Sequence, residues 1–228
     1  MLCGEYLSAN NPTADASRIP AQLLSGIGFI GAGNMGGALA RAAVKSVGAE
    51  NIFVSDTDSQ KIKAFSDETD VNIADAEYIV LNCDYIFLGV KPQMLKGLFE
   101  KLAPVIEERT TDFVLVSMAA GVEISKIEAS LSKKLPIIRI MPNTPAQVGE
   151  AMTSVSRNRN VSDGMMASAM EIFNAVGRAE EVPEELIHCV IGVSGSSPAY
   201  TYMYIDALAQ SAEANGMEPE KAKVFAAQ

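Results

Sequence analysis

Gly31, Gly33 and Gly36 stand at G-x-G-x-x-G spacing, directly after the apolar run 27–30 and directly before the helical stretch 38–44. That context predicts a strand, a tight turn and a helix that together hold a pyrophosphate. Gly31 permits the turn, Gly33 lets the backbone approach the phosphates, and Gly36 lets the helix pack close to the strand. The helix start adds free N–H groups and the positive dipole end. Asp56 follows the second strand candidate, 20 residues beyond Gly36. An acid there accepts hydrogen bonds from ribose hydroxyls and disfavours a 2′-phosphate. The run Asp56-Thr57-Asp58-Ser59 would equally cap the next helix.

Four further segments carry polar or small residues at predicted strand ends. In Gly89-Val90-Lys91-Pro92-Gln93, Pro92 suits a first helical turn and Lys91 is placed to screen a phosphate. Ser117-Met118-Ala119-Ala120-Gly121-Val122 offers small residues, which admit either a flat ring or a closely packed helix. In Arg139-Ile140-Met141-Pro142-Asn143-Thr144-Pro145, two prolines three apart force a rigid turn presenting Asn143 and Thr144. Rigid donors at a strand end suit nicotinamide or substrate. Ser194-Gly195-Ser196-Ser197-Pro198 gathers hydroxyls where a helix begins, which suits a carboxylate or an ordinary serine cap.

Composition narrows the classes. A net charge of −10 over 228 residues argues against nucleic acid and against an anionic membrane surface. No apolar run approaches the roughly 18 residues of a membrane span, and the first residues lack a basic-then-apolar leader pattern. Cys83 and Cys189 sit among apolar residues and read as buried hydrophobes of a reducing compartment, the cytoplasm. His188, the one histidine, reads as partly buried, and no cluster at ligand spacing predicts a metal. The acidic run 180–185 reads as a solvated linker.

Strand candidates 26–30, 52–55, 85–90, 113–117 and 136–141 alternate with helix candidates 34–45, 59–68, 92–102, 125–131 and 162–175. Continuous apolar strands alternating with helices imply an α/β fold with a parallel, doubly wound sheet of the Rossmann type. Residues 151–156 read as a late edge strand. Beyond Pro183 only helical patterns follow, so the chain divides into an N-terminal extension (1–24), a dinucleotide-binding domain (25–182) and a helical domain (183–228). The helix over 199–208 is apolar almost all round, which predicts burial on several sides: against the sheet domain, against a second chain, or in aggregates.

In this order, the segments 27–36, 89–93, 119–122, 141–145 with 148–150, and 194–200 resemble the pyrroline-5-carboxylate reductase family, over roughly residues 26–228. The resemblance implies a Rossmann domain followed by an all-helical dimerisation domain, a homodimer or larger homo-oligomer, and reduction of a cyclic imine carboxylate to L-proline with NADPH or NADH, the last step of proline biosynthesis. It places Gly31, Ala32, Gly33, Asn34, Met35 and Gly36 on the cofactor phosphates. Val90, Lys91, Pro92 and Ala120 fall along the cofactor, and Asn143 at its nicotinamide end. Glu184, Ser194, Gly195, Ser196, Ser197 and Pro198 fall near the substrate. Two departures stand out. The family usually carries Gly where this chain has Ser197. It also continues through further helices, including a Gly- and Thr-rich segment, so the helical domain is incomplete here and residues 1–228 are expected to bind cofactor without normal turnover. Hydride transfer to a protonated imine requires no strong acid or covalent nucleophile, and none is assigned. The competing expectations are another small NAD(P)-dependent reductase, of the beta-hydroxyacid dehydrogenase or deazaflavin-linked type, and an inactive dinucleotide-binding module.

Overall fold

A computed structural model describes residues 26–228; the extension read over 1–24 lies outside the described residues. Eight strands form one sheet in the order β3-β2-β1-β4-β5-β6-β7-β8. They are β1 (Ile27–Ile30), β2 (Ile52–Ser55), β3 (Asn72–Ile73), β4 (Tyr85–Leu88), β5 (Val114–Ser117), β6 (Ile137–Met141), β7 (Ala151–Arg157) and β8 (Gly177–Glu181). β1 pairs in parallel with both β2 and β4, Ile27 lying opposite Ile52 on one side and Tyr85 on the other. Every residue of β1, β4 and β5 is buried, because helices cover both faces.

The helices of the sheet unit are α1 (Asn34–Val47), α2 (Ser59–Thr69), α3 (Ala76–Asn82), α4 (Leu95–Glu108), α5 (Ile124–Ala129) and α6 (Asp163–Asn174). One face of the sheet builds a core around Phe29, Phe87, Leu39 and Phe173, in which Phe29 stacks on Phe87 with centroids 4.5 Å apart. The other gathers Ile86, Leu88, Phe99, Leu102 and Leu115. Cys83 belongs to this second core, and burial pushes its thiol pKa up to about 12.

The sheet departs from the expected all-parallel pattern at its far side. β7 runs antiparallel to β6, and β8 then runs parallel to β7. The strand at 151–157 is therefore not the edge; β8 is. Residues 180 and 181, read as linker, belong to that edge strand. Its sequence hides it: only Ala179 is buried, and Arg178 pairs with Glu180 while Glu181 pairs with Arg157. Charges on an edge strand discourage pairing with another chain.

After Pro183 the chain is helical, but not as the uniform helix read over 184–190. A 3-10 turn at Glu184–Leu186 leads into α7 (Ile187–Val190), a π turn at Ile191–Gly195, α8 (Ser197–Ala214) and α9 (Pro219–Ala227). Cys189 and His188 are exposed, not buried, because Ile187 alone of this short helix is buried. Of the three covers expected for α8, the sheet domain does not supply one. α9 packs along it, yet Tyr200 is 63%, Met203 72% and Tyr204 65% exposed. Its apolar surface has no cover to match it among the described residues.

Candidate active site

The carboxyl ends of β1, β2 and β4 open into a cleft of about 700 Å3, at the point where the strand order reverses. Open α/β sheets bind ligands at that switch point. Gly31, Gly33, Asp56, Val90 and Lys91 line the cleft, with Met94 and Leu98 as an apolar wall. Gly31 has φ +101°, and a Cβ there would lie 2.6 Å from the Gly89 carbonyl oxygen. A Cβ on Gly36 would lie 2.2 Å from the Gly31 oxygen, so α1 is pressed against the turn. Gly33 is the opposite case: nothing lies within 4 Å of where its Cβ would be. One glycine closes the turn, one seats the helix, and the third leaves open space at the helix start.

That start lacks a cap. α2 is capped by the Asp58 carboxylate, α3 by Asp75, α6 by the Ser162 hydroxyl and α9 by Glu218. α4, α7 and α8 each follow directly on another helical turn. The Ile124 N–H at the start of α5 donates to Glu184 Oε1 at 2.8 Å. Among the described helices, α1 alone begins from extended chain at Gly33 with no side-chain acceptor, and it has no acid in its first turn. First-turn amides left open at a dipole's positive end suit a phosphate. The residues present therefore fit a dinucleotide.

Of the run 56–59, Asp58 takes the cap, and Asp56 stands apart from it. Asp58 accepts from the N–H groups of Gln60 and Lys61 and so caps α2. Asp56 stands at the cleft. Its Oδ2 accepts the Ala32 N–H at 2.9 Å, its Oδ1 accepts the Asp58 N–H at 3.1 Å, and Lys61 Nζ lies 3.6 Å away. Burial pushes its pKa up, but the two N–H donors and Lys61 outweigh that and hold it below the usual carboxylate value. Lys91 is exposed, Pro92 opens the 3-10 turn Pro92–Met94, Asn34 and Met35 begin α1, and Ala120 is exposed in the turn after β5.

A second cleft of about 450 Å3 lies between the turn after β5 and the helical segment, lined by Gly121, Arg139, Glu184, His188 and Ile191 among others. Arg139 is buried in β6, and its Nη1 donates to Glu184 Oε1 at 2.8 Å. Spacing alone does not assign Arg139 as the partner of Glu184. The signal was there: an arginine inside the apolar strand Ile137–Met141 must find a buried partner. Asn143 is also buried, and both ends of its amide are used. Nδ2 donates to the Ser194 carbonyl at 3.0 Å and Oδ1 accepts the Met152 N–H at 2.9 Å.

Met141 meets the same loop, since a Cβ on Gly195 would lie 3.7 Å from its Cε. In that loop the N–H of Ser196 goes to the Ile191 carbonyl, and Ser194 Oγ donates to the Val190 carbonyl. Ser197 and Pro198 open α8. Thus Gly31, Gly33, Asp56, Val90 and Lys91 meet at one cleft and Glu184 at the other, while Asn143 and residues 194–198 line neither.

Comparison with known proteins ties these parts together. Residues 26–121 match the family model described as NADP oxidoreductase coenzyme F420-dependent, and residues 184–228 the model described as pyrroline-5-carboxylate reductase dimerisation. The chain is 40% identical over 205 residues to the pyrroline-5-carboxylate reductase of Escherichia coli (strain K12), a match covering 89% of this chain and 75% of that one. The chain belongs to the pyrroline-5-carboxylate reductase family. The solved reductase from Coxiella burnetii is 32% identical, with TM-score 0.82, covering 90% of this chain and 77% of that one. The Plasmodium falciparum reductase, solved with NADP bound, is 29% identical, with TM-score 0.79, covering 89% and 74%. Prephenate dehydrogenase from Aquifex aeolicus, at 17% identity, shares the fold alone.

Proposed function

We propose that this chain reduces pyrroline-5-carboxylate to L-proline with NADPH or NADH, in the cytoplasm and as a homodimer or larger homo-oligomer. One observation carries the reading: family likeness runs through the nucleotide cleft and on into the segment that bears Glu184 and Ser194–Pro198, so both halves of the reaction have residues in one chain. On this reading residues 25–182 bind the cofactor and 183–228 serve substrate and dimer contacts. No helix among the described residues is long and apolar enough to cross a membrane.

The division of labour follows from chemistry. Bound NAD(P)H supplies the hydride. Amides of Gly33, Asn34 and Met35 receive the pyrophosphate in place of a side-chain cap. The ionised Asp56 takes ribose hydroxyls. The hydroxyls of Ser196 and Ser197 take the substrate carboxylate. The Glu184 carboxylate favours the protonated and more electrophilic imine. What remains is orientation, and well-oriented intramolecular reactions gain roughly 7–11 kcal/mol that way.

The test is consumption of NADPH and NADH with pyrroline-5-carboxylate, set against keto acids, with proline measured as product. Proline formation is expected, even at a low rate, and equal or faster rates with keto acids would sink the reading. The family description matched over residues 26–121 favours a second reading, a deazaflavin-linked reductase. Oxidation of NADPH by a deazaflavin, without proline formation, would establish that one instead.

A further inference from the structure

We propose that Arg139 and Asn143 are positioning residues: two anchors, one on β6 and one at its exit, that fix both ends of the segment 184–194 and so aim the start of α8. Arg139 holds Glu184 at the head of the segment, with Nη1 2.8 Å from Oε1. Asn143 holds its tail, donating to the Ser194 carbonyl at 3.0 Å. Arg139 lies within β6 and Asn143 two residues beyond its end, so one strand and its exit reach both ends of the segment. Asn143 was expected at the nicotinamide. Its Nδ2 donates to the Ser194 carbonyl and its Oδ1 accepts the Met152 N–H, a pairing that fixes which end is nitrogen and leaves a second N–H of Nδ2 for a ligand.

The segment needs such anchors. Between residues 184 and 196 only Ile187 is buried, so apolar contact holds it at one point. It also contains a π turn, closed by the Ser196 N–H on the Ile191 carbonyl at 2.9 Å. π turns are rare and occur mostly at functional sites, where surrounding contacts must sustain them. Fixing both ends of a short connection fixes where Ser196 and Ser197 stand. The same pairing sets Glu184. Its Oε1 carries two donors, Arg139 and the Ile124 N–H, so the carboxylate is held from two elements and cannot turn freely.

The inference rests on the function proposed above, and its test separates the two. Arg139→Met and Asn143→Ala are expected to raise KM for pyrroline-5-carboxylate by about tenfold or more, since misplacement near 1 Å can cost 10²-fold. KM and Kd for NADH should stay within about twofold, because the nucleotide cleft is built from other strands. Arg139→Lys, which keeps one charged donor, should recover part of the loss. Arg139→Met leaves Glu184 without its charged partner and risks misfolding, so Arg139→Met/Glu184→Met is the second variant: restored folding without restored substrate KM is expected. Hydrogen exchange over residues 187–196 must rise in Arg139→Met and Asn143→Ala. If exchange there is unchanged, or if NADH and substrate constants worsen together, the anchoring role is wrong. A wild type that forms no proline sinks the proposed function alone, and hydrogen exchange still decides the anchors.

Discussion

Gly31 and Gly36 are each held by backbone: a Cβ on either would lie within 2.6 Å of a carbonyl oxygen. The glycine spacing is legible because Gly31 and Gly36 meet steric demands that only glycine satisfies, while Gly33 leaves open space at the helix start. The run Asp56-Thr57-Asp58-Ser59 was legible only as two alternatives, since carboxylates two apart can each cap a helix. Three-dimensional placement separates them: Asp58 caps α2 and Asp56 faces the cleft. This leads to a coenzyme prediction. Asp56 is ionised, and the cation beside it is Lys61, already 3.6 Å from its carboxylate. A 2′-phosphate would meet a negative charge that Lys61 only partly offsets. Wild-type protein should therefore bind NADH at least as tightly as NADPH. Asp56→Ser should shift the preference toward NADPH by about 1–2 kcal/mol, the scale of one charge-assisted hydrogen bond and one removed repulsion. Fluorescence titration with both coenzymes measures it; wild type binding NADPH tenfold tighter would show that Asp56 does not face the ribose. Arg139 lies at the other limit of legibility. That it needs a partner is readable from its apolar strand, but that the partner is Glu184, 45 residues on, is not.

Among elements, the strongly periodic ones were readable and the polar or short ones were not. β1, β2, β4, β5 and β6 are apolar because both faces are covered, so their runs stand out. β8 and the two-residue β3 lie at the sheet's edges and carry polar or exposed residues, so no pattern marks them. α3 has no marker either: it is seven residues long, and its apolar residues 78–81 form a continuous run without helical spacing. The element that matters most is the turn into α1, where two glycines fail differently when changed. Gly36→Ala puts a methyl group 2.2 Å from the Gly31 oxygen, backbone that cannot yield without moving strand or helix. It should destabilise the fold by about 1–3 kcal/mol, the usual cost of overpacking. Gly33→Ala meets nothing within 4 Å, so thermal stability should barely change. Its methyl group would project where the pyrophosphate must approach, and NADH affinity should fall roughly tenfold or more, one charge-assisted hydrogen bond's worth. Melting curves and NADH titrations on the two variants check the contrast. If Gly33→Ala unfolds, or binds NADH normally, the uncapped helix start is not the phosphate site.

For the molecule as a whole, the sequence announced an apolar helix at 199–208 but could not say what would cover it. Apolarity all round means burial, against the sheet domain, against a second chain, or in aggregates. The folded chain leaves Tyr200, Met203 and Tyr204 exposed, with Leu208 half-exposed further along. Their spacing of three, one and four residues sets them along one side of the helix. Val224 and Phe225 of α9 add exposed apolar surface. A surface of this kind on one helical unit, in a chain whose residues 184–228 match a dimerisation family, fits a second copy better than solvent. A stable contact needs about 800 Å2 from each partner, a scale that two helices of this length can supply together. Sedimentation of the wild type should give a dimer or larger assembly at micromolar concentration. Met203→Asp puts a charge into the centre of the stripe, where a dimer would have to desolvate it, and should shift the protein to monomer. The nucleotide cleft draws on β1, β2, β4 and the turns after them, far along the chain from α8. The monomeric variant should therefore keep its NADH affinity within about twofold, as expected for separated sites. A Met203→Asp protein that sediments like wild type would place the interface elsewhere. One that loses NADH binding along with assembly would mean that the cleft depends on the partner chain.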